Sequence, residues 1–263
     1  MSFANKLIAI TGAASGIGRA TALLLAQRGA LLSLADLQSQ LLQDLSIEIE
    51  RISGTKPFTA TVDVRSQSAC NAWITGTIAH FNGLPLAGAA NLAGVFGRSI
   101  GQDIGSIRNI SNEEWDFVMD VNVKGTLNSL RAELPYMLSG ENGRGGGSIV
   151  LASSVAGISG GALNGPYCAS KHAVVGIMKA LAKEEGARAI RVNAVAPGII
   201  DTPMIKGIQE AVGREELFGE KDPGVLERKG DAAEVAEVVA FLLGEGSGFV
   251  TGAVVPVEGG WVC

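Results

Sequence analysis

The chain has 263 residues, a net charge of −5, 47% hydrophobic and 18% charged residues, and a pI near 5.2. This size and composition fit one large folded domain and exclude a disordered chain. The acidic balance argues against nucleic acid or an anionic membrane as a partner, and no apolar run is long enough to span a bilayer.

The three cysteines, Cys70, Cys168 and Cys263, have no paired spacing, and no leader pattern precedes the first apolar run. Together these features predict free thiols and a cytoplasmic protein. The two histidines, His80 and His172, lack metal-ligand spacing, so no metal is expected.

Short β-compatible runs alternate with helical periodicity from end to end. The predicted strands are Leu7–Ile10, Leu31–Ala35, Phe58–Val62, Gly88–Leu92, Ser148–Ala152, Arg191–Ala196 and Ala253–Val257. Repeated βα units predict an α/β fold with a parallel sheet that is doubly wound, covered by helices on both faces. Ser111-Asn112-Glu113-Glu114 predicts a capping box that starts a helix running towards Ser129.

Gly143-Arg144-Gly145-Gly146-Gly147 is either a domain linker or a surface loop. We favour the loop, because the glycine-rich segment near the N-terminus and the reactive side chains described below lie on opposite sides of it. The chain is therefore interpreted as a single domain, 1–263, with a cofactor half, 1–145, and a catalytic and substrate half, 146–263.

Thr11-Gly12-Ala13-Ala14-Ser15-Gly16-Ile17-Gly18 follows the first predicted strand and opens the next helix. Glycines allow the backbone to approach a pyrophosphate, and the helix N-terminus offers unpaired N–H groups. We therefore expect Gly12, Ser15, Gly16, Ile17 and Gly18 to bind a dinucleotide.

Asp36 follows the second predicted strand, where an acidic side chain hydrogen-bonds the adenosine ribose. Its carboxylate also repels a 2′-phosphate, so NAD is favoured over NADP. The alternative is that Asp36 only caps the next turn. Asp63 and Val64 follow the third strand and are expected at the adenine, although Asp63 is open to the same alternative.

Ser154 precedes Tyr167 by thirteen residues, and Lys171 follows Tyr167 by four. The last spacing puts the phenol and the ammonium one helical turn apart on one face. A cation at about 4 Å with an effective dielectric of about 20 predicts that the pKa of the phenol falls towards about 7, where general acid–base catalysis works best. A chance pairing on a helix is the alternative.

Taken together, these residues resemble the single-domain short-chain dehydrogenase/reductases over essentially the whole chain. The matching motifs are Thr11–Gly18, Asp63, Asn91-Leu92-Ala93-Gly94, Asn122, Ser154, Tyr167 with Lys171, Asn193 and Pro197-Gly198. The resemblance implies a Rossmann-type sheet of seven strands. It also implies that Ser154 orients the substrate oxygen and that Tyr167 exchanges the proton. Lys171 would lower the pKa of Tyr167 and bind the nicotinamide ribose.

The resemblance extends to further positions. It gives Asn122 a role in a proton relay through water, although a polar residue that bends a helix is the alternative. Leu92 stands where the family has a second Asn, which predicts a modest structural change. Further cofactor contacts are implied for Asn91, Ala93, Gly94, Pro197, Gly198, Ile200 and Thr202. Residues 199–230 are interpreted as a substrate lid, with an ordinary pair of surface helices as the alternative.

The expected substrate is a small hydrophobic alcohol or ketone, because the residues predicted to line its pocket are apolar: Val95, Phe96, Ile158, Leu163, Met204 and Ile205. Parts of the sequence resemble fungal biosynthetic dehydrogenases, which suggests a cyclic secondary metabolite. An NADPH-dependent ketone reductase and a catalytically silent dinucleotide sensor are the alternatives. The Tyr–Lys spacing argues against an enoyl reductase. The resemblance also implies a homo-oligomer, a tetramer or dimer, through a helix face that otherwise only packs on the sheet: Ala173, Val174, Ile177, Met178, Ala180 and Leu181.

Overall fold

The computed structural model describes residues 2–213 and 223–263. The strands are β1 (Leu7–Thr11), β2 (Leu31–Asp36), β3 (Phe58–Thr61), β4 (Leu86–Asn91), β5 (Ser148–Ala152), β6 (Arg191–Pro197) and β7 (Val254–Val257). The α-helices are α1 (Gly16–Gln27), α2 (Ser39–Ser53), α3 (Gln67–His80), α4 (Asn112–Met119), α5 (Gly125–Glu133), α6 (Gly165–Glu184), α7 (Pro203–Val212) and α8 (Ala232–Leu243). None of the helices in the described ranges is long and apolar enough to cross a membrane.

All seven strands form one parallel sheet in the order β3-β2-β1-β4-β5-β6-β7. The chain winds outward from β1 in one direction and from β4 in the other. This confirms the predicted doubly wound sheet and single-domain α/β fold. The carboxyl ends of β1 and β4 meet at the topological switch point, where such sheets bind ligands.

The alternation of side chains along the strands divides the core into two apolar layers. Ile8 and Ile10 of β1 pack with α1, α2 and α8 on one face of the sheet. Leu7 and Ala9 pack with α3, α5 and α6 on the other face. Because helices cover both faces, the central strands are fully buried, as their continuous apolar runs require.

The predicted helix beginning at Ser111 is interrupted. The Ser111 hydroxyl accepts a 3.2 Å hydrogen bond from the Glu114 N–H, as the capping box predicts. The reciprocal half of the box is absent, because the Glu114 carboxylate binds Ser99 instead. After α4 the helix widens into a π-helical turn, Asp120–Lys124, before α5 begins. π-Helical turns are rare, and those that occur often lie at functional sites.

The glycine-rich segment 143–147 is a loop rather than a linker, since it leads into β5 in the middle of the same sheet. The predicted oligomer face on α6 is only partly free. Val174, Met178 and Leu181 are buried against the sheet, whereas Ala180 is exposed. The predicted lid includes α7, and its residues 214–222 lie outside the described residues.

Candidate active site

A cleft of about 320 Å³ opens at the switch point between β1 and β4, a size that suits a small ligand or part of a larger one. It is bounded by the loop after β1, the ends of β2 and β3, the segment after β4 and the residues that follow β6. Eleven of the predicted cofactor residues line it: Gly12, Ser15, Gly16, Ile17, Gly18, Asp36, Asp63, Val64, Ala93, Gly94 and Thr202.

The loop after β1 needs its glycines. Gly12 has φ +66°, and a Cβ there would lie 2.8 Å from the Ala93 nitrogen. A Cβ on Gly18 would lie 2.0 Å from the Gly12 carbonyl oxygen. Ser15 precedes α1 and makes no side-chain capping bond, so the first N–H groups of α1 face the cleft without a side-chain partner. This backbone fits a dinucleotide pyrophosphate.

Asp36 stands at the cleft edge in the position expected for a ribose ligand. One carboxylate oxygen accepts a 2.9 Å hydrogen bond from the Ala14 N–H of the glycine loop, and the other accepts from the Gln38 N–H at 3.0 Å. The second contact is a turn cap, which was the alternative interpretation of Asp36 from the sequence. Asp36 therefore caps a turn and lies beside the cleft at the same time.

Asp63 has a stronger partner than the sequence suggested. The Arg65 guanidinium donates to both of its carboxylate oxygens, at 2.6 to 3.0 Å, and holds the pKa of Asp63 below its usual value. Arg65 also lies over the Phe117 ring, 5.9 Å from its centroid. The Asp63 carboxylate is thus engaged by an ion pair at the edge of the cleft.

The catalytic candidates lie beside the cleft and are not among the residues that line it, although Tyr167 and Lys171 were also predicted to contact the cofactor. Lys171 adjoins the cleft wall at Gly94, where a Cβ would lie 3.2 Å from its Nζ. The Lys171 ammonium donates a 2.8 Å hydrogen bond to the Ala152 carbonyl at the end of β5. Its nitrogen lies 5.4 Å from the centroid of the Tyr167 ring. The Ser154 hydroxyl donates to the Pro197 carbonyl at 3.4 Å and stands close enough to the phenol to lower its pKa. Three predicted catalytic side chains are therefore neighbours.

The predicted direction of the tyrosine pKa is wrong for this structure. Burial is the largest effect and raises the pKa of Tyr167 well above its ordinary value of 10.0, and the neighbouring Ser154 hydroxyl offsets only part of this. Burial also lowers the pKa of Lys171 to about 8. The simple Coulomb argument fails because it left out burial, which is the largest effect on the pKa of both groups.

Asn122 lies in the π-helical turn and is almost fully buried. Its Oδ1 accepts from the Val95 N–H at 2.8 Å, and its Nδ2 donates to the Val95 carbonyl at 2.9 Å and to the Ser170 hydroxyl at 3.0 Å. A Cβ on Gly94 would lie 3.3 Å from Asn122 Oδ1 and 3.2 Å from Lys171 Nζ. The side chain of Asn122 therefore joins the π-helical turn both to the segment after β4 and to α6.

Other predicted contacts are not brought to the cleft lining. The Asn91 side chain points to Glu133 in the interior. Ile200 is buried, and its Cδ1 would lie 2.6 Å from a Cβ on Gly230. Pro197 and Gly198 do not line the cleft either. The Pro197 carbonyl accepts from the Ser154 hydroxyl, and Gly198 packs against Glu258. Thr202 does line it, because a Cβ on Gly16 would touch its methyl group at 3.2 Å.

Sequence reasoning missed part of the cleft wall. These residues either adjoin predicted strand ends or lie four apart across the end of α4 and the π-helical turn. The first group could have been found from the strand ends, whereas the second depends on which helix face turns inward. They are Leu37, Gln38, Arg65, Phe117 and Val121.

Comparison with known proteins agrees with this geometry. A family model described as enoyl-(acyl carrier protein) reductase matches residues 12–262. The short-chain dehydrogenase/reductase aba4 of Botryotinia fuckeliana (strain B05.10) is 45% identical over 99% of this chain and 98% of its own length. The cyclohexanol dehydrogenase of Acinetobacter sp. (strain SE19) is 37% identical over 98% and 96%. The crystal structure of levodione reductase superposes with a TM-score of 0.87 at 34% identity, over 98% of this chain and 97% of the other.

The chain belongs to the short-chain dehydrogenase/reductase family. Its relatives of this class act as oxidoreductases on alcohol or ketone groups, as the names cyclohexanol dehydrogenase and levodione reductase state. The family binds NAD or NADP and small-molecule substrates.

Proposed function

We propose that this chain interconverts a secondary alcohol and a ketone on a hydrophobic, cyclic small molecule, with NAD(H) as the cofactor. The observation that carries the proposal is the meeting of Tyr167, Ser154 and Lys171 beside a cleft whose glycine loop suits a pyrophosphate. The relatives named for cyclohexanol and levodione support a cyclic substrate.

The residues have separable roles in this reaction. The nicotinamide carries the hydride when it is bound. Tyr167 gives its phenolic proton to the substrate oxygen during reduction and takes it back during oxidation. The Ser154 hydroxyl holds that oxygen, and the Lys171 ammonium favours the phenolate form of Tyr167 and binds the nicotinamide ribose. Asn122 fixes the segment after β4 through Val95, beside the proposed relay water.

The preference for NAD rests on the charges at the cleft edge. Asp36 presents a carboxylate where a 2′-phosphate would lie. Of the described residues lining the cleft, only Arg65 is cationic, and it is paired with Asp63. Arg19 on α1 is paired with Glu48. A free cation to bind the extra phosphate is therefore missing from the described cleft lining, which supports NAD rather than NADPH.

The remaining expectations belong to this proposal. Residues 1–145 would form the cofactor half, residues 146–263 the catalytic half, and 199–230 the lid. A homo-oligomer, dimer or tetramer, is proposed through the exposed part of α6, and light scattering after size exclusion tests it. A cytoplasmic location is proposed because Cys70, Cys168 and Cys263 are all free.

The test is an NAD-coupled assay with cyclic and acyclic alcohols and ketones, repeated with NADP. The chain has only two tyrosines, Tyr136 and Tyr167, and Tyr136 is partly exposed outside the cleft. Tyr167→Phe should lower kcat by about 100-fold to 10,000-fold, the usual contribution of a general acid. Tyr136→Phe should leave kcat unchanged.

Two results would refute the proposal. If the chain binds NAD but turns over no alcohol or ketone, the dinucleotide-sensor alternative is favoured. If it acts only on an α,β-unsaturated thioester, the reaction named in the family model's description replaces the proposed one.

A further inference from the structure

Phe96 lies directly on the proposed catalytic tyrosine. The rings of Phe96 and Tyr167 are stacked, with centroids 3.9 Å apart and planes inclined by 27°. Tyr167 is only 7% exposed, and the Phe96 ring is one of the groups that cover it. Flat apolar contact on one face restricts how far the ring can tilt.

The segment that carries Phe96 is held on both sides. Before Phe96, the backbone N–H and carbonyl of Val95 are both bonded to the Asn122 amide. After it, the N–H and hydroxyl of Ser99 donate to the Glu114 carboxylate at 2.8 and 2.6 Å. A Cβ on Gly97 would meet the same carboxylate, so a larger residue there would displace the Glu114 side chain from this position. The position of Phe96 is thus set by two independent anchors.

Phe96 also belongs to a small apolar cluster on the other side of the site. It packs, with Ile100 and Trp261, against the buried side chains of Ile199, Ile205 and Ile208. The cluster combines the segment after β4, the end of β6, α7 and the C-terminal segment. Phe96 is therefore placed between Tyr167 and the apolar side chains of the proposed lid.

We propose that Phe96 is a positioning residue for Tyr167 and that it also limits the size of the apolar group a substrate can place beside the phenol. This inference rests on the proposed alcohol dehydrogenase function. The two roles follow from one placement, because the same ring touches Tyr167 and the apolar cluster.

Kinetics of two variants separate these roles. Phe96→Leu removes the ring but keeps much of the apolar volume, and should lower kcat for cyclohexanol about 10-fold to 100-fold through misplacement of Tyr167, with KM changed little. Phe96→Ala also opens space, and should raise kcat/KM for decahydro-2-naphthol relative to cyclohexanol at least about fivefold. Phe241→Leu, on the exposed face of α8, is the matched control and should change neither quantity.

A second readout needs no turnover. In a Tyr136→Phe background, Tyr167 is the only tyrosine, so the ultraviolet difference spectrum of the phenolate reports it alone. Adding Phe96→Ala exposes the phenol to water and should shift its titration down towards about 10, whereas Phe241→Leu should not.

The inference is overturned if Phe96→Leu keeps kcat within about twofold and the tyrosine titration is the same with and without Phe96→Ala. If the unsubstituted protein turns over no alcohol or ketone, the proposed function fails instead, and the titration still decides whether Phe96 shields Tyr167.

Discussion

The side-chain amide of Asn91 donates a 2.8 Å hydrogen bond to Glu133 Oε2 and so joins the end of β4 to α5 inside the core. Among the described residues, Asn91 Oδ1 and Glu133 Oε1 have no hydrogen-bond partner. Burial raises the pKa of Glu133 to about 8, so this carboxyl holds a proton at neutral pH. A protonated Glu133 places a neutral carboxyl in this buried position and avoids an unpaired buried charge.

The first prediction is a loss of stability as Glu133 ionises. The folded protein binds this proton up to about pH 8, whereas a free carboxyl loses it near 4.5. The free energy of unfolding should therefore fall as the pH rises between these values, by up to about 1.4 kcal/mol per pH unit from this one group. Glu133→Gln is neutral at every pH, so this part of the pH dependence should disappear.

The measurement is urea unfolding of both proteins at about pH 5.5 and about pH 8. Glu50→Gln, at an exposed position on α2, is the control for the loss of a carboxyl and should retain the full pH dependence. If the free energy of unfolding changes equally between the two pH values in the unsubstituted protein and in Glu133→Gln, Glu133 is ionised in the fold.

Part of this architecture could be predicted from sequence, for identifiable reasons. The glycine loop and Asp36 follow strands in a βα unit, so local pattern alone places them at the cleft. The pairs Asn122–Val95 and Asn91–Glu133 join residues 27 and 42 positions apart, and their contacts depend on how helices pack on the sheet. Ionisation was predicted least well, because burial, which no residue spacing reveals, determines the pKa of Tyr167.

A second prediction concerns the space around Gly94. A Cβ at this position would lie 3.2 Å from Lys171 Nζ and 3.3 Å from Asn122 Oδ1. Gly94→Ala should therefore displace the ammonium and lower kcat about 10-fold, with only a small loss of stability. Steady-state kinetics and thermal unfolding measure the two effects.

Gly186→Ala is the matched control, because a Cβ at Gly186 would meet nothing within 4 Å. It should leave kcat unchanged. Normal turnover by Gly94→Ala would mean that Lys171 and Asn122 need not keep this close arrangement for catalysis.

A third prediction concerns cofactor choice. Asp36→Asn removes the charge at the cleft edge but keeps one oxygen that can accept from the Ala14 N–H. The ratio of kcat/KM for NADP to that for NAD should rise at least about 10-fold, because the repulsion of a 2′-phosphate is lost. Asp44→Asn, on the exposed face of α2, makes the same change in net charge and should leave the ratio unaltered. A ratio equal in all three proteins would exclude Asp36 as the discriminating group.

The last prediction is the pH dependence of ketone reduction. Burial lowers the pKa of Lys171 to about 8, so the ammonium loses its proton as the pH rises through this value. Tyr167 keeps its proton over the same range, because burial raises its pKa. The rate of reduction should therefore be steady near neutral pH and fall above about 8 as the charge beside the phenol disappears. Lys171→Met should be slow at every pH and show no such fall, whereas Lys179→Met, at an exposed position on α6, should behave like the unsubstituted protein. A decline above about pH 8 that persists in Lys171→Met would assign the titration to another group.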